Sequence, residues 1–439
     1  MSERISRLWH RALKAAGSLF KKGAFHIVAG SFLTKFVSFF GSIFVVRLLT
    51  KPEYGILGYY ENLASYLIIF AGCGMASGMT RYLVLADADK KSDCFWYAAK
   101  RGSIWNIFLV AIGVLIMLFY PHPEAFAQDK MIGVILALCI PFVYYIHAGQ
   151  CALRALYDNK GYALVAFLST VLLIGARVVG AKVGGLYMTA RGRLLAEILA
   201  AALCVGATVR QLKLQGNEHS RIDAPFKKEF NRYSMQIMFT DGLWAVFMLN
   251  DLYILGRFIG SEAIVADYKV AYVIPANLSI LTSAIGIFVC PYFTKHENAK
   301  EYQWVKSRFL LVLKTTMLLI GAASIACCLL AKPLIRFLYG EQYLSAVPIM
   351  RILLIASFMN NGIRVTVANI LSAIGKQGIN LIVAGIGIAV QVGLDILLLS
   401  VWGAQGVAVS SSVVYLLMGS FLSVYFIKFL NRSIKEGIT

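Results

Sequence analysis

The sequence predicts an all-α, polytopic membrane protein with about 12 transmembrane helices, and three observations lead to this. Of the 439 residues, 59% are hydrophobic and only 15% are charged. In soluble domains about a quarter of all residues are charged. The large apolar share here therefore requires a bilayer as the solvent for these side chains. The apolar residues also fall into runs of about 20, the length that crosses a bilayer. An aromatic content of 13% suits helices anchored at two membrane interfaces.

The apolar runs define the predicted spans in order. In the first half of the chain they cover 25–48, 57–80, 102–121, 131–153, 161–182 and 185–209. In the second half they cover 233–256, 267–292, 309–331, 345–373, 378–401 and 404–428. The run at 345–373 is long for one span, so we expect that helix to be tilted or broken. The connecting loops are all short, which leaves no soluble catalytic domain and predicts that the chain is not an enzyme.

The predicted organisation is two lobes of six spans each. The predicted parts are a cytoplasmic amphipathic helix at 1–24, a first lobe at 25–210, a cytoplasmic linker at 211–232 and a second lobe at 233–439. In the N-terminal segment, apolar residues recur at helical spacing between Ile5 and Phe20, and basic residues occupy the other face, as in helices that lie on a membrane surface.

The charge distribution predicts the orientation. The net charge is +20, from 42 Lys and Arg against 22 Asp and Glu, and the basic residues concentrate in alternate loops. The positive-inside rule then places both termini in the cytoplasm, which requires an even number of spans. We therefore interpret the excess of basic residues as a determinant of membrane orientation and, in part, as a means of binding an anionic ligand. We do not interpret it as a nucleic-acid-binding surface. Most of the eight cysteines fall inside apolar runs without metal-ligand spacing, so neither disulfides nor a metal site is predicted.

Weak internal similarity predicts a duplication. Leu153–Leu156 followed by Lys160 resembles Ala368–Leu371 followed by Lys376, and Gly185–Met188 resembles Gly406–Val409. Since each half holds six spans in the same orientation, the halves would be pseudo-symmetric lobes around a central cavity. Such lobes suit alternating access, in which the cavity opens to either side of the membrane.

Charged and polar residues inside the spans are the candidates for function, because such groups are costly in a bilayer and usually face a cavity or a partner. Cations exceed acids among them, which favours an anionic ligand, and Arg in particular suits paired contacts to phosphate. The substrate-binding candidates are Lys35, Arg364, Asn360, Asn361, His147, Gln150, Lys269, Arg351 and Arg177. The alternative roles are hydrogen bonds between helices and, for Lys269, Arg351 and Arg177, contact with lipid phosphates.

The acids within the spans raise the question of an energy source. They are Glu61, Glu197, Asp241, Asp251 and Asp395. No phosphate-binding loop of the ATPase type is present, so no nucleotide or other cofactor is predicted. Asp241, Asp251 and Glu61 are candidates for coupling to H⁺ or Na⁺, by antiport, because a buried carboxylate holds a proton more tightly. Salt bridges to nearby cations are the alternative, and Arg193 with Glu197 has the spacing of a structural ion pair.

Several motifs together resemble one known family. Arg47 lies ahead of Tyr54 and Gly55, Arg81 follows the second span, and Asp251 opens the stretch Asp251–Gly256. Further on, Pro291 precedes a basic loop and Gly340 closes the stretch Pro333–Gly340. In order and spacing these are similar to the polysaccharide transporters, the Wzx-type lipid-linked oligosaccharide flippases of the multidrug/oligosaccharidyl-lipid/polysaccharide exporter superfamily. The resemblance implies structural roles for Arg47, Tyr54, Gly55, Arg81, Pro291 and Gly340.

The resemblance also implies a function. The family moves an undecaprenyl-diphosphate-linked oligosaccharide from the cytoplasmic to the outer leaflet of the bacterial inner membrane, for O-antigen and lipopolysaccharide, capsule or exopolysaccharide synthesis. Its partners would be the lipid-linked oligosaccharide, membrane lipids, H⁺ or Na⁺, and other polysaccharide-assembly proteins. Three alternatives stay open: an ion-coupled small-molecule or multidrug exporter of the same superfamily, a membrane-embedded glycan polymerase or ligase, and a scaffold for glycan assembly. The cation excess argues against the exporter, and the short outer loops argue against the enzyme.

Overall fold

The computed structural model describes residues 25–214 and 222–435, and this part of the chain is helical with short connections and no β-strand. The predicted all-α class is confirmed. The amphipathic helix predicted at 1–24 lies outside the described residues. Within them, eight helical segments are long and apolar enough to cross a membrane, and a ninth results if the bent pair Lys51–Ile68 and Ala71–Leu85 is one span.

The helices follow one another with few intervening residues. The first eight are α1 Phe25–Leu48, α2 Lys51–Ile68, α3 Met75–Leu85, α4 Lys91–Phe119, α5 Glu124–Ala127, α6 Lys130–Leu138, α7 Ile140–Ala155 and α8 Asn159–Leu214. The next eight are α9 Ala224–Ile254, α10 Glu262–Asn277, α11 Ser279–Asn298, α12 Tyr302–Leu329, α13 Ala331–Tyr339, α14 Ala346–Ser357, α15 Val365–Ala373 and α16 Gln377–Lys435. A π-helical turn, Leu255–Ile259, ends α9, and a second one, Phe358–Arg364, joins α14 to α15.

The two longest helices are each broken once. Helix α8 has 56 residues and α16 has 59, and 56 residues of unbroken helix would measure about 84 Å, far more than a bilayer about 30 Å thick. The backbone breaks at Gly185, with φ 62° and ψ −142°, and at Gly403, with φ 56° and ψ −137°. Each helix therefore supplies two spans, and the predicted gaps after 182 and after 401 are confirmed.

These breaks refine the predicted duplication. Gly185 and Gly403 share a backbone conformation that only glycine adopts without strain, and each lies in the last long helix of its half. The residue that repeats the conformation of Gly185 is thus Gly403, rather than Gly406, which the sequence similarity pairs with it. Sequence similarity alone cannot locate the break, because Gly403 and Gly406 are both glycine and either could be aligned with Gly185.

The second predicted span, 57–80, is bent in the structure. Helices α2 and α3 meet at 43° across the 3₁₀ turn Ala71–Gly74. Gly72, Cys73 and Gly74 all have positive φ there, which stops an α-helix. The Asn106 side chain accepts a hydrogen bond of 2.7 Å from the Gly72 N–H, and a Cβ on Gly72 would overlap the Tyr144 ring.

The described chain separates into two compact units. The first holds the residues up to Leu49, Leu63–Tyr120 and Asp129–Gly242, and the second holds Thr50–Asn62, Pro121–Gln128 and the residues from Leu243 onward. In the first unit, Tyr82 stacks on Phe230 with the ring centroids 4.9 Å apart. In the second, Phe309 and Phe426 pack edge to face at 4.7 Å. The lobe boundaries placed around 211–232 stay a prediction.

Candidate functional site

The second unit contains a cavity of about 550 Å³, a volume typical of ligand sites. The lining residues are Trp244, Met248 and Asp251 of α9, Tyr272, Pro275 and Ala276 of α10, Ser279 of α11, Leu353, Ala356 and Ser357 of α14, Asn360, Asn361 and Arg364 of the second π-helical turn, Val365, Ala368 and Asn369 of α15, and Ser411 and Tyr415 of α16. Its walls are mostly apolar and aromatic, and its two charged lining residues are Arg364 and Asp251.

The π-helical turn brings three predicted residues to this cavity. A wider turn shifts the helix register and leaves backbone carbonyls without their usual donors. The carbonyl of Asn361 instead accepts hydrogen bonds from the hydroxyls of Thr282, at 3.0 Å, and Thr366, at 3.1 Å. The span expected to be tilted or broken at 345–373 is one helical segment, Ala346–Ala373, with this π-helical turn in its middle. The turn places Asn360, Asn361 and Arg364 together on the cavity wall.

Pro275 and Ser357 connect two other parts of the cavity lining. Pro275 lies inside α10, where its ring disfavours a continuous helix; α10 ends at Asn277 and α11 begins at Ser279. The Ser357 hydroxyl donates to the carbonyl of Pro275 at 2.8 Å and accepts from the Asn361 amide at 3.0 Å. These bonds satisfy the polar groups exposed by the kink and attach α10 to the π-helical turn.

Arg364 is held from two sides. Its Nε donates to Asn360 Oδ1 at 2.6 Å, and its guanidinium carbon lies 4.0 Å from the Trp244 ring centroid. The side chain is 8% exposed, and within the described residues it has no salt bridge to a carboxylate. A guanidinium stacked on an aromatic face is stabilised by the cation–π interaction, but burial of an unneutralised charge remains costly. The site is therefore suited to an anionic ligand.

Asp251 also faces the cavity, but its carboxylate is engaged. Oδ2 accepts hydrogen bonds from Tyr268 at 2.5 Å and Ser411 at 2.7 Å, and Oδ1 accepts from Gln391 at 2.6 Å. Three donors from α10 and α16 hold the carboxyl group of α9 in one orientation. These hydrogen bonds connect Asp251 in the cavity wall to the buried polar residues Gln391 and Ser411 of α16.

A second carboxyl group lies beside this network. Asp395 is fully buried, and Asn250 donates to its Oδ2 at 2.7 Å. Its Oδ1 and the Oε1 of Gln391, one turn away on α16, are buried without a hydrogen-bond partner in the described part of the chain. Nor does any basic side chain described here pair with Asp251 or Asp395. Two neighbouring buried carboxyls without a counter-ion favour uptake of a proton or a small cation.

Two other predicted residues pair with each other within the second unit. The Lys269 ammonium lies 2.5 Å from Glu61 Oε2 and 4.8 Å from the Tyr54 ring centroid. Nearby, Lys51 contacts Asp267 at 2.7 Å. The arrangement matches the structural alternative for Lys269 and Glu61, and their predicted roles in substrate binding and ion coupling stay untested.

The remaining predicted residues do not line the cavity. Lys35 on α1, His147 and Gln150 on α7, Arg177 on α8 and Asp241 on α9 belong to the first unit, and Arg351 on α14 belongs to the second. Lys35, His147, Asp241 and Arg351 are exposed. Arg193 and Glu197 of the first unit form the predicted ion pair, at 2.8 Å. The structure thus gathers three of the nine substrate-binding candidates in one cavity.

The motif residues have structural surroundings. The Tyr54 side chain is 4% exposed, and a Cβ on Gly55 would lie 1.8 Å from the Glu262 carbonyl oxygen. The Arg81 guanidinium lies 4.9 Å from the Tyr233 ring centroid. Three further contexts are simple: Pro291 is inside α11, Gly340 with φ +98° ends α13, and Arg47 is in the last turn of α1.

Several cavity residues could not be identified from the sequence. Trp244, Tyr272 and Tyr415 form aromatic walls, and Gln391 holds Asp251. Aromatic residues at helical spacing in an apolar run carry no signal that separates a cavity wall from a lipid-facing surface. Asp395 was recognisable as an acid within a span, but its hydrogen-bond partner Asn250 on α9 was not.

Comparisons with known proteins agree with this description. The family model described as "Polysaccharide biosynthesis protein" matches residues 20–297. No curated protein gives a significant sequence match. Among solved structures, an inward-facing multidrug resistance MATE family transporter of the MOP superfamily superposes with a TM-score of 0.73 at 14% identity, over 92% of this chain and 96% of that one. The lipid II flippase MurJ, inward closed, gives 0.72 at 15%, over 93% and 90%.

A third structure, the MATE transporter VcmN of Vibrio cholerae, gives a TM-score of 0.61 at 14% identity, over 95% of this chain and 98% of that one. The helices and these likenesses define a multi-pass membrane protein with the fold of the MOP-superfamily transporters. Since the family model matches well over half of its length, the chain belongs to the polysaccharide biosynthesis protein family.

Proposed function

We propose that this protein is a flippase that carries an undecaprenyl-diphosphate-linked oligosaccharide from the cytoplasmic to the outer leaflet of the bacterial inner membrane. The glycan would serve O-antigen, capsule or exopolysaccharide synthesis, and the protein would work by alternating access with both termini in the cytoplasm. The family membership and the fold shared with a lipid II flippase support this proposal. The observation that carries it is the unneutralised Arg364 in an aromatic cavity.

The chemistry of the cavity suits such a substrate. A lipid-linked glycan presents hydroxyls and negative charge to the protein while its polyprenyl chain stays in the bilayer. The cavity offers amides, hydroxyls and aromatic faces around one cation. Polar groups of this kind orient a ligand, while the apolar walls exclude water.

We further propose that transport is coupled to H⁺ or Na⁺ through Asp251 and Asp395. Asp251 lines the cavity and accepts a hydrogen bond from Gln391. Asp395 lies one turn from Gln391 on α16 and accepts a hydrogen bond from Asn250, the residue next to Asp251 on α9. A cation bound there would alter the hydrogen bonds of α9 and α16, both of which line the substrate cavity. Asp241 and Glu61 remain predicted coupling residues, and contacts with other polysaccharide-assembly proteins remain a prediction.

The decisive experiment reconstitutes the purified protein in vesicles with a lipid-linked glycan and measures the sidedness of the glycan. We expect protein-dependent movement to the far leaflet, and we expect Arg364→Ala to slow it by at least about tenfold. A folded wild-type protein that moves none of the lipid-linked glycans from its own organism would contradict the proposal.

A multidrug exporter is the second candidate, because two of the superposed structures are MATE transporters. Exporters of cationic drugs need a net acidic cavity, whereas here the carboxylate of Asp251 is held by three donors and the cation of Arg364 is not neutralised. Efflux of a cationic dye by the reconstituted protein, without glycan movement, would favour the exporter.

A further inference from the structure

The guanidinium of Arg364 presents an open hydrogen-bonding edge to the cavity. Nε is occupied by Asn360, and one face is covered by Trp244. No acceptor among the described residues contacts its two terminal amino groups, although the side chain is only 8% exposed. The geometry left open is the planar fork that binds the two oxygens of one anionic group.

The acid in the same cavity does not neutralise this charge. Asp251 receives three hydrogen bonds, from Tyr268, Gln391 and Ser411, and no ion pair joins it to Arg364 within the described structure. The fork of Arg364 is therefore available to a ligand rather than to an internal partner.

The rest of the cavity indicates which anion fits. Tyr272 and Tyr415 add aromatic faces to that of Trp244, and Asn361 and Asn369 add amides. Aromatic faces pack against the C–H faces of pyranose rings, and amides bond hydroxyls. A diphosphate carries several negative charges and requires more than one cation or a metal ion, but Arg364 is the single basic residue among the described lining residues.

We propose that this cavity binds the sugar part of the substrate rather than the diphosphate, and that Arg364 recognises the carboxylate of an acidic sugar such as a uronic acid. The inference rests on the proposed flippase function and names its substrate class. A single carboxylate matches the single cation, and its two oxygens match the two terminal amino groups. A phosphate could form the same paired bonds, so the test must separate the two groups.

The test measures dissociation constants for the protein in lipid nanodiscs with three probes. These are a polyprenyl-diphosphate disaccharide ending in glucuronic acid, the same lipid ending in glucose, and the polyprenyl diphosphate without sugar. We expect wild-type protein to bind the glucuronic acid lipid at least about tenfold more tightly than the glucose lipid. Arg364→Gln should abolish that preference and leave the affinity for the sugar-free lipid unchanged.

A matched control is Arg308→Gln. Arg308 also approaches a tryptophan, with its guanidinium carbon 5.9 Å from the Trp304 ring centroid, but it does not line the cavity. We expect this variant to keep the wild-type preference. Should Arg364→Gln fail to fold, the wild-type comparison of the acidic and neutral sugars still decides the question.

Three outcomes would contradict part of this account, and they separate the acidic-sugar inference from the proposed function. Equal wild-type affinity for the glucuronic acid and glucose lipids would overturn the acidic-sugar inference and leave the flippase function standing. A loss of affinity for the sugar-free lipid in Arg364→Gln, as large as for the glucuronic acid lipid, would assign Arg364 to the diphosphate and also overturn it. Wild-type protein that binds none of the lipids would contradict the proposed function itself.

Discussion

Arg364 illustrates how much a single intramembrane cation depends on its neighbours. Its cost of burial is lowered by the ring of Trp244 and the amide of Asn360, but within the described residues no carboxylate neutralises it. By contrast, Lys269 is neutralised by Glu61. One of these two cations is thus paired with an acid, and the other is the proposed ligand-binding residue, according to whether an acid lies within reach.

The acids divide in a similar way, and this leads to a prediction for Asp395. Because its Oδ1 is buried without a described partner, we expect it to bind the coupling cation. Asp395→Asn should make transport in vesicles insensitive to an imposed pH or Na⁺ gradient that accelerates the wild type. Glu301→Gln, at an acid in the turn after α11, is the control and should keep the response. An Asp395→Asn protein that responds to the gradient as wild type does would remove Asp395 from the coupling site.

At the scale of helices, the break in α16 depends on one glycine. Gly403 has φ 56° and ψ −137°, and a Cβ there would meet no described atom within 4 Å. Gly403→Ala should therefore destabilise the protein by backbone strain alone, by about 1–3 kcal/mol. Gly393→Ala in the same helix, also without a described neighbour within 4 Å, should be neutral or stabilising. Thermal unfolding in detergent measures both, and equal midpoints would contradict the strain.

The contact between α2 and α10 depends on a different property of glycine. A Cβ on Gly55 would lie 1.8 Å from the Glu262 carbonyl oxygen, so Gly55→Ala must push the helices apart. We expect a loss of about 1–3 kcal/mol, typical of overpacking. Gly175→Ala on α8, where no described atom lies within 4 Å, should not destabilise. The apparent unfolding midpoints of the two variants test this, and an unchanged midpoint for Gly55→Ala would show that the close approach is not required.

At the scale of the whole molecule, the number of crossings follows from the two broken helices. If α8 crosses twice, Gly185 lies outside and Asp223 lies in the cytoplasm. Alkaline phosphatase fused after Gly185 should be active, and green fluorescent protein fused after Asp223 should be fluorescent. The reciprocal fusions should be inactive, which serves as the control. Fluorescence of a fusion after Gly185 would place Gly185 in the cytoplasm and contradict the predicted crossing by the first half of α8.

The fold class and most of the spans could be predicted from the sequence alone, and the reason is physical. A bilayer leaves backbone groups no partner except within a helix, so apolar runs of sufficient length become helices wherever they occur. The predicted run 25–48 matches α1, and the predicted gaps near Gly185 and Gly403 match the breaks. Arg364, Asn360 and Asn361 could be grouped because they are close in sequence. The bend at Gly72–Gly74 was missed, since its apolar residues continue the hydrophobic run.

Only the tertiary structure decided which polar residues meet. Lys269 and Glu61 are 208 positions apart, and Asp251 and Ser411 are 160 apart. Trp244 of α9 contacts Arg364 at the end of the π-helical turn, and the local sequence around either residue does not specify that contact. Composition determines that the chain enters a membrane and forms helices, because those demands act on each segment separately. Whether a buried charge is paired or left open to a ligand depends on groups from several helices, and only their packing brings those groups together.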